Sequence, residues 1–307
     1  MDFSIAVKVS IALFAALLLL FSFSCLGTSA QTGRVDPEQV MRHVEKIVSY
    51  GPHPPGSQAQ KEVGRYIAEQ LQSHGLEVHT HAFHPVTPLG RREMNNIWGV
   101  VEGKEDSVII LASHYDSKYF EDFSFLGAND SGSSSGLLLE LARILKQENP
   151  TDYSLWFVFF DGEEAFFDWT SADSLYGSRE FVRMLKGRGQ MGKISTLILL
   201  DMVGEKDLVL RQDFNSTQWL NQIIWDKGRQ MGYGNIFQSR ASTGAQDDHL
   251  PFAQEGIPVV DIIDLDYAYW HKKEDTLDKL STDNLRIVGD VVLASLPEIA
   301  KRLKENP

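Results

Sequence analysis

Cysteine is almost absent. The chain of 307 residues has one, Cys25, within the first thirty residues, so a chain cut after them has none. A disulfide framework is excluded there, and an exported protein of this kind must rest on its packed core and any bound metal. Clustered positive charge is lacking too. Against 42 acidic side chains stand 29 lysines and arginines, a net charge of −13, and the bases form no run. That argues against nucleic acid as a partner. The acidic balance mildly favours cationic ligands such as free amino termini, although solubility alone accounts for it. Internal repeats, low-complexity tracts and a second domain boundary are also missing, which leaves one domain.

One long hydrophobic run is present. Lys8 precedes the apolar stretches 9–20 and 21–26, and Thr28, Ser29 and Ala30 follow. This is the layout of a secretory signal cleaved after Ala30. Because residues 9–26 approach membrane-spanning length, an uncleaved anchor holding the rest outside the cytoplasm is the alternative. The expectation is a signal over 1–30, an exported domain over 31–307, and membrane contact only without cleavage.

Periodicity predicts helices over 37–49, with Asp36 as N-cap and Pro37 first, and over 58–73, with Val63, Ile67 and Leu71 on one stripe. Further helices are predicted over 132–146, 175–185, 217–231 and 282–302. Strands are predicted over 77–84, 91–101, 108–112, 155–160, 194–200, 208–210 and 259–263. Apolar strands alternating with helices imply an α/β fold with a mostly parallel central sheet flanked by helices on both faces.

Five short stretches lie after or near these strands: His114-Tyr115-Asp116, Asn129-Asp130-Ser131, Asp161-Gly162-Glu163-Glu164, Leu200-Asp201 and Trp270-His271. Strand ends are where an open α/β sheet builds its ligand crevice. Catalytic zinc takes three ligands from His, Asp and Glu and keeps one position open. Asp130, Glu164 and His271 meet that requirement, and Glu163 beside Glu164 is the natural general base. Singly, each has an ordinary structural explanation: a helix cap, a solvated acidic loop, a satisfied histidine. Their joint placement makes the functional reading. His114 and Asp201 form a second layer that, with Asp130 as bridge, could hold a second zinc; alternatively Asp201 hydrogen-bonds the substrate.

At these residues the chain resembles the zinc-dependent exopeptidases, and among them more closely the animal-type glutaminyl-peptide cyclotransferases. The resemblance runs through residues 114–120, 139–143 and 159–166, then Trp169, 173–179, Gln246-Asp247-Asp248-His249, Pro251-Phe252 and Trp270-His271. It implies a zinc aminopeptidase-like (phosphorylase/hydrolase-like) fold. It also implies one zinc ion on Asp130, Glu164 and His271, with Glu163 as proton shuttle and Asp201 and Asp247 as acids near the reacting amide. Trp169, Gln246 and Trp270 would form the pocket around a glutaminyl side chain. His249 is either structural or a hydrogen-bond donor behind the site.

The implied reaction converts N-terminal glutaminyl residues to pyroglutamyl and releases ammonia. The alternative is a zinc aminopeptidase with two ions, and a silent binding protein on the same fold is a third reading. Peptide or protein N-termini are the implied partners, and a monomer is expected. One departure stands out. The animal members have a disulfide near the site, and here Ser113 and Ser135 occupy those positions.

Overall fold

The structure is a computed structural model that describes residues 35–241 and 244–305; the expected signal over 1–30 lies outside them. Helix α1, Pro37–Val48, opens as expected: the Asp36 side chain accepts the N–H groups of Glu38 and Gln39, and Pro37 forfeits no helical hydrogen bond at that position. In α2, Gln58–Ser73, the Ser57 side chain caps Gln60, and Val63, Ile67 and Leu71 form the buried stripe.

Strand β1, Glu77–Phe83, follows. The single strand expected over 91–101 is divided. A small hairpin of β2, Val86–Thr87, and β3, Gly90–Arg91, takes Arg91, and only β4, Met94–Val101, joins the main sheet. Thr87 closes that hairpin, its Oγ1 donating to the Gly90 carbonyl at 2.7 Å. Next come β5, Glu105–His114, a π-type turn at Ala128–Ser133, α3, Ser134–Gln147, β6, Tyr153–Phe160, and α4, Tyr176–Gly187. The remainder is β7, Ile194–Asp201; β8, Leu210–Gln212; α5, Gln218–Gln230; β9, Phe237–Ala241; α6, Leu250–Gln254; β10, Val259–Ile263; and α7, Thr282–Glu305. The strand expected over 208–210 thus begins at its last residue. It pairs with β9, which periodicity did not indicate, in a separate two-stranded sheet.

The main sheet has the order β1-β4-β6-β5-β7-β10. Strands β6, β5, β7 and β10 run parallel; β4 is added antiparallel to β6, and β1 antiparallel to β4 at the edge. Successive residues point to opposite faces, so a strand covered on both sides must be apolar throughout. In β5, Ile109 and Leu111 enter a core with α1, α2, α3, α5 and α7, whereas Val108, Ile110 and Ala112 face Phe181 of α4 and Phe252 of α6. Each fully buried aliphatic side chain contributes roughly 1.5–3 kcal/mol.

From β5 the chain steps to β6 on one side and later returns to β7 on the other. That reversal splays the connections apart and leaves a crevice at the carboxyl ends of β5 and β7.

Candidate active site

The crevice is built from strand ends. His114 closes β5 and Asp201 closes β7, and both are buried. The His114 Nε2 lies 3.3 Å from an Asp201 oxygen and 3.3 Å from Asp130 Oδ1. Asp130 sits in the π-type turn, where its N–H and that of Asn129 donate to the Asp275 carboxylate at 3.2 and 2.9 Å. Tyr267 donates its hydroxyl to Asp275 at 2.7 Å, so Asp275 pins the turn that presents Asp130.

Beyond β6 the chain turns sharply through Asp161-Gly162-Glu163-Glu164. One buried carboxylate organises this loop: Asp116 accepts the N–H groups of Gly162, Glu163 and Glu164 at 2.9, 3.1 and 3.2 Å. Gly162 has φ +77°, and a Cβ there would stand 2.7 Å from the Met94 sulfur. Asp161 lies beneath, buried, accepting the Asn95 N–H at 2.6 Å and a hydrogen bond from the Gln60 amide. The loop is thereby fixed with both glutamates on the cavity wall.

His271 reaches the same place from the segment after β10. Its Nε2 lies 2.9 Å from Glu164 Oε1 and 3.4 Å from Asp130 Oδ2. Potential ligand atoms of Asp130, Glu164 and His271 all lie within 4.8 Å of one another, as do those of His114, Asp130 and Asp201. Asp130 belongs to both groups. A cavity of about 490 Å³ opens over them, lined also by Glu163, Trp169, Gln246, Asp247 and Trp270. Asp201 lines it as well, whereas His114 and His249 are buried and do not reach it.

Charge is distributed unevenly. Burial opposes ionisation of Asp130, but the His114 and His271 imidazoles beside it outweigh it and hold that carboxyl below its ordinary range. Burial likewise disfavours the charged form of His271, yet Glu164 and Asp130 carry it up to about 9. Glu163 is pushed well above the usual carboxylate range by burial and then by the Asp247 charge. Burial and neighbouring acids raise Asp201, Asp247 and Asp248 as well, Asp248 to about 7. So many acids in one dry place call for protons or a cation.

Trp169 and Trp270 flank the opening. Trp270 remains 47% exposed, so it is available to a ligand. Lys118 lies 5.9 Å from the Trp169 ring centre and donates to the Ala165 carbonyl at 2.6 Å. Ser113 and Ser135 are buried together with their Oγ atoms 3.4 Å apart. Sequence reasoning gave no role to Asp116, Lys118 or Asp275. Asp116 had a signal, being two residues past a strand-end histidine; Asp275 had none, since Lys272-Lys273-Glu274-Asp275 reads as a solvated charge run.

The sheet with its crevice of interlocked acids and imidazoles defines an α/β enzyme of the aminopeptidase-like kind. The profile of peptidase family M28 matches residues 96–296, more than half of the chain. The glutaminyl-peptide cyclotransferase of Drosophila melanogaster is 31% identical over 254 residues, spanning 74% of this chain and 72% of that protein. A crystal structure of a glutaminyl cyclase from an Acidobacteriales bacterium is 36% identical and superposes with a TM-score of 0.84, covering 90% of this chain and 98% of that one. A leucine aminopeptidase precursor from Bacteroides thetaiotaomicron is 26% identical, with a TM-score of 0.79 over 86% of this chain and 97% of that one. The chain belongs to peptidase family M28, in the branch that holds the glutaminyl-peptide cyclotransferases.

Proposed function

We propose that this protein is a zinc-dependent glutaminyl-peptide cyclotransferase. The observation that carries the reading is the convergence of Glu163, Asp247 and Gln246 on the same cavity as the Asp130, Glu164 and His271 donors. Those donors fit zinc: they are two carboxylates and one imidazole, and Asp130 Oδ2 is buried without a hydrogen-bond partner. Bound there, zinc would act as a Lewis acid toward the side-chain amide oxygen of the substrate.

The protein's own residues do the rest. Glu163 accepts a proton from the substrate's α-ammonium, and the freed amine attacks the side-chain amide carbon of the same residue. The ring C–N bond forms, Glu163 returns its proton to the amide nitrogen as the bond to it breaks, and the ring nitrogen sheds its second proton, so that the products are the lactam and ammonium. With the neighbouring donors holding zinc, Glu163 would lose part of the proton affinity that burial gives it and serve as the base. Asp201 and Asp247 orient the departing nitrogen. Trp169, Trp270 and Gln246 hold the side chain folded over and keep water out. Nucleophile and electrophile share one residue, so little entropy remains to be lost.

Purified protein is expected to release ammonia from a glutaminyl dipeptide without cleaving it or an alanyl dipeptide. Release of free alanine from the latter, with no ammonia from the former, overturns the reading.

One observation favours a second reading, a zinc aminopeptidase: His114, Asp130 and Asp201 form their own donor set. One zinc per chain supports the cyclase and two support the peptidase. In the favoured reading residues 1–30 are a cleaved export signal, and residues 31–307 are a monomeric catalytic domain acting on peptide N-termini outside the cytoplasm. Among the described residues no helix is long and apolar enough to cross a membrane. N-terminal sequencing of exported protein that starts at Met1 overturns the cleavage.

A further inference from the structure

Behind the cavity wall lies a polar ring that the proposed reaction does not use. His249 is fully buried, with both ring nitrogens lacking a hydrogen-bond partner. Its Nε2 stands 3.5 Å from an Asp213 oxygen and its Nδ1 stands 3.6 Å from an Asp261 oxygen. The circuit closes through Ser216, whose Oγ accepts the Asp261 N–H at 2.9 Å and donates to Asp213 at 2.8 Å. Asp213 also accepts the N–H of Ala245 at 2.7 Å, which fixes the start of the loop carrying Gln246 and Asp247. At the other end of that loop the Leu250 N–H donates to the Asp247 carbonyl at 2.9 Å, and the His249 carbonyl accepts from Ala253 at 3.0 Å. The Asp261 carboxyl lies against that of Asp247.

Buried polar atoms without partners are costly, so a ring of this kind is kept only if its members satisfy one another. A neutral imidazole offers one N–H and one lone pair. Flanked by two carboxyls, it requires that one of them hold a proton. Asp213 already accepts two hydrogen bonds, from the Ser216 hydroxyl and the Ala245 N–H. Asp261 accepts none from a backbone or hydroxyl donor among the described residues, so it is the member suited to carry the proton. Asp261 then stands beside both His249 and Asp247.

We propose that His249, clamped between Asp213 and Asp261, is a positioning residue that holds the Asp247 carboxyl at the cavity wall through Asp261. The inference rests on the reading of Asp247 given above and extends it to three residues that touch no substrate.

The test is a double-mutant cycle with a glutaminyl dipeptide, reading kcat, KM, bound zinc and Tm. His249→Leu keeps the bulk and removes both polar atoms; it is expected to lower kcat at least tenfold with KM changed less than threefold and zinc retained. His249→Gln, which restores a donor and an acceptor, is expected to recover kcat to within about threefold of wild type. Asp261→Asn guards against a His249→Leu chain that fails to fold and is expected to lose kcat as His249→Leu does. In Asp247→Asn the second lesion is expected to add little, because both act through one carboxyl. Additive losses, or a lowered Tm with normal kcat in His249→Leu and Asp261→Asn, overturn the clamp. An Asp247→Asn enzyme with wild-type kcat overturns the role of Asp247 and the clamp with it. Absence of ammonia release by the wild type sinks the cyclase reading itself.

Discussion

At the scale of single residues, Glu163 and His271 do different work in the same few ångströms. Glu163 lines the cavity beside the donor set without belonging to it. Glu163→Gln keeps the shape and removes the base, so kcat is expected to fall by ~10²–10⁴ with zinc content unchanged, measured by ammonia release and elemental analysis. His271→Ala is expected to lose zinc and activity together; retained metal would refute its assignment. The proton on His271 adds a pH dependence. In the cation-free protein its pKa is raised to about 9, so at neutral pH the imidazole is charged and a cation must displace that proton. Zinc affinity should therefore rise with pH up to about 9 and level off above it. Calorimetric titration at pH 7 in two buffers of different ionisation enthalpy should show at least about one proton released, and none would contradict the arrangement.

At the scale of elements, the turn after β6 decides whether the two adjacent glutamates can serve different ends. Its geometry depends on Gly162 in a left-handed conformation and on Asp116 gathering three successive N–H groups. Gly162→Ala would force a side chain against Met94 at an unfavourable φ. A loss of stability of about 1–3 kcal/mol is expected, read by chemical denaturation, with weaker zinc binding because Glu164 moves with the turn. Unchanged stability and metal affinity would show that the turn adapts freely. The π-type turn is governed similarly by Asp275, and the stretch carrying Gln246 and Asp247 by Asp213 through the Ala245 N–H. In each case a buried carboxylate from elsewhere binds backbone N–H groups, which is how irregular loops acquire a fixed shape.

At the scale of the whole molecule, the carboxyl end of the sheet concentrates acids in a dry setting. Asp248 is raised to about 7 by burial and its acidic neighbours, and Glu205, burial again first and Asp264 next, to about 8. A carboxyl whose folded pKa exceeds its unfolded value of roughly 4 binds more protons when folded, so stability falls as pH rises. For these groups the fall begins near the unfolded value and ends near the folded one. The cation-free protein is therefore expected to have a lower Tm at pH 8 than at pH 5, and Glu205→Gln should flatten the upper part of that slope. Saturating zinc should raise Tm by preferential binding to the folded state. A Tm independent of pH in the cation-free chain would mean that these acids do not carry the protons assigned to them.

Most of the helices, the strands of the parallel core and the chemical inventory are legible in the amino-acid sequence. Val63, Ile67 and Leu71 announce their helix by spacing, and the strands of the parallel core announce themselves by being apolar throughout; local periodicity follows burial, and burial is written residue by residue. Asp130, Glu163, Glu164, Asp201 and His271 could likewise be picked out, since each lies in or near a strand end and strand ends form the crevice. Only the tertiary structure decided what acts on them. Asp116, Asp275 and Asp213 lie far along the chain from the loops they hold, and no periodicity links partners that meet only when the sheet closes. The same holds for β9 and for the hairpin that shortens the strand before Met94. These are choices among backbone hydrogen-bond partners, and such choices are settled by which segments the packed core brings within about 3 Å of each other.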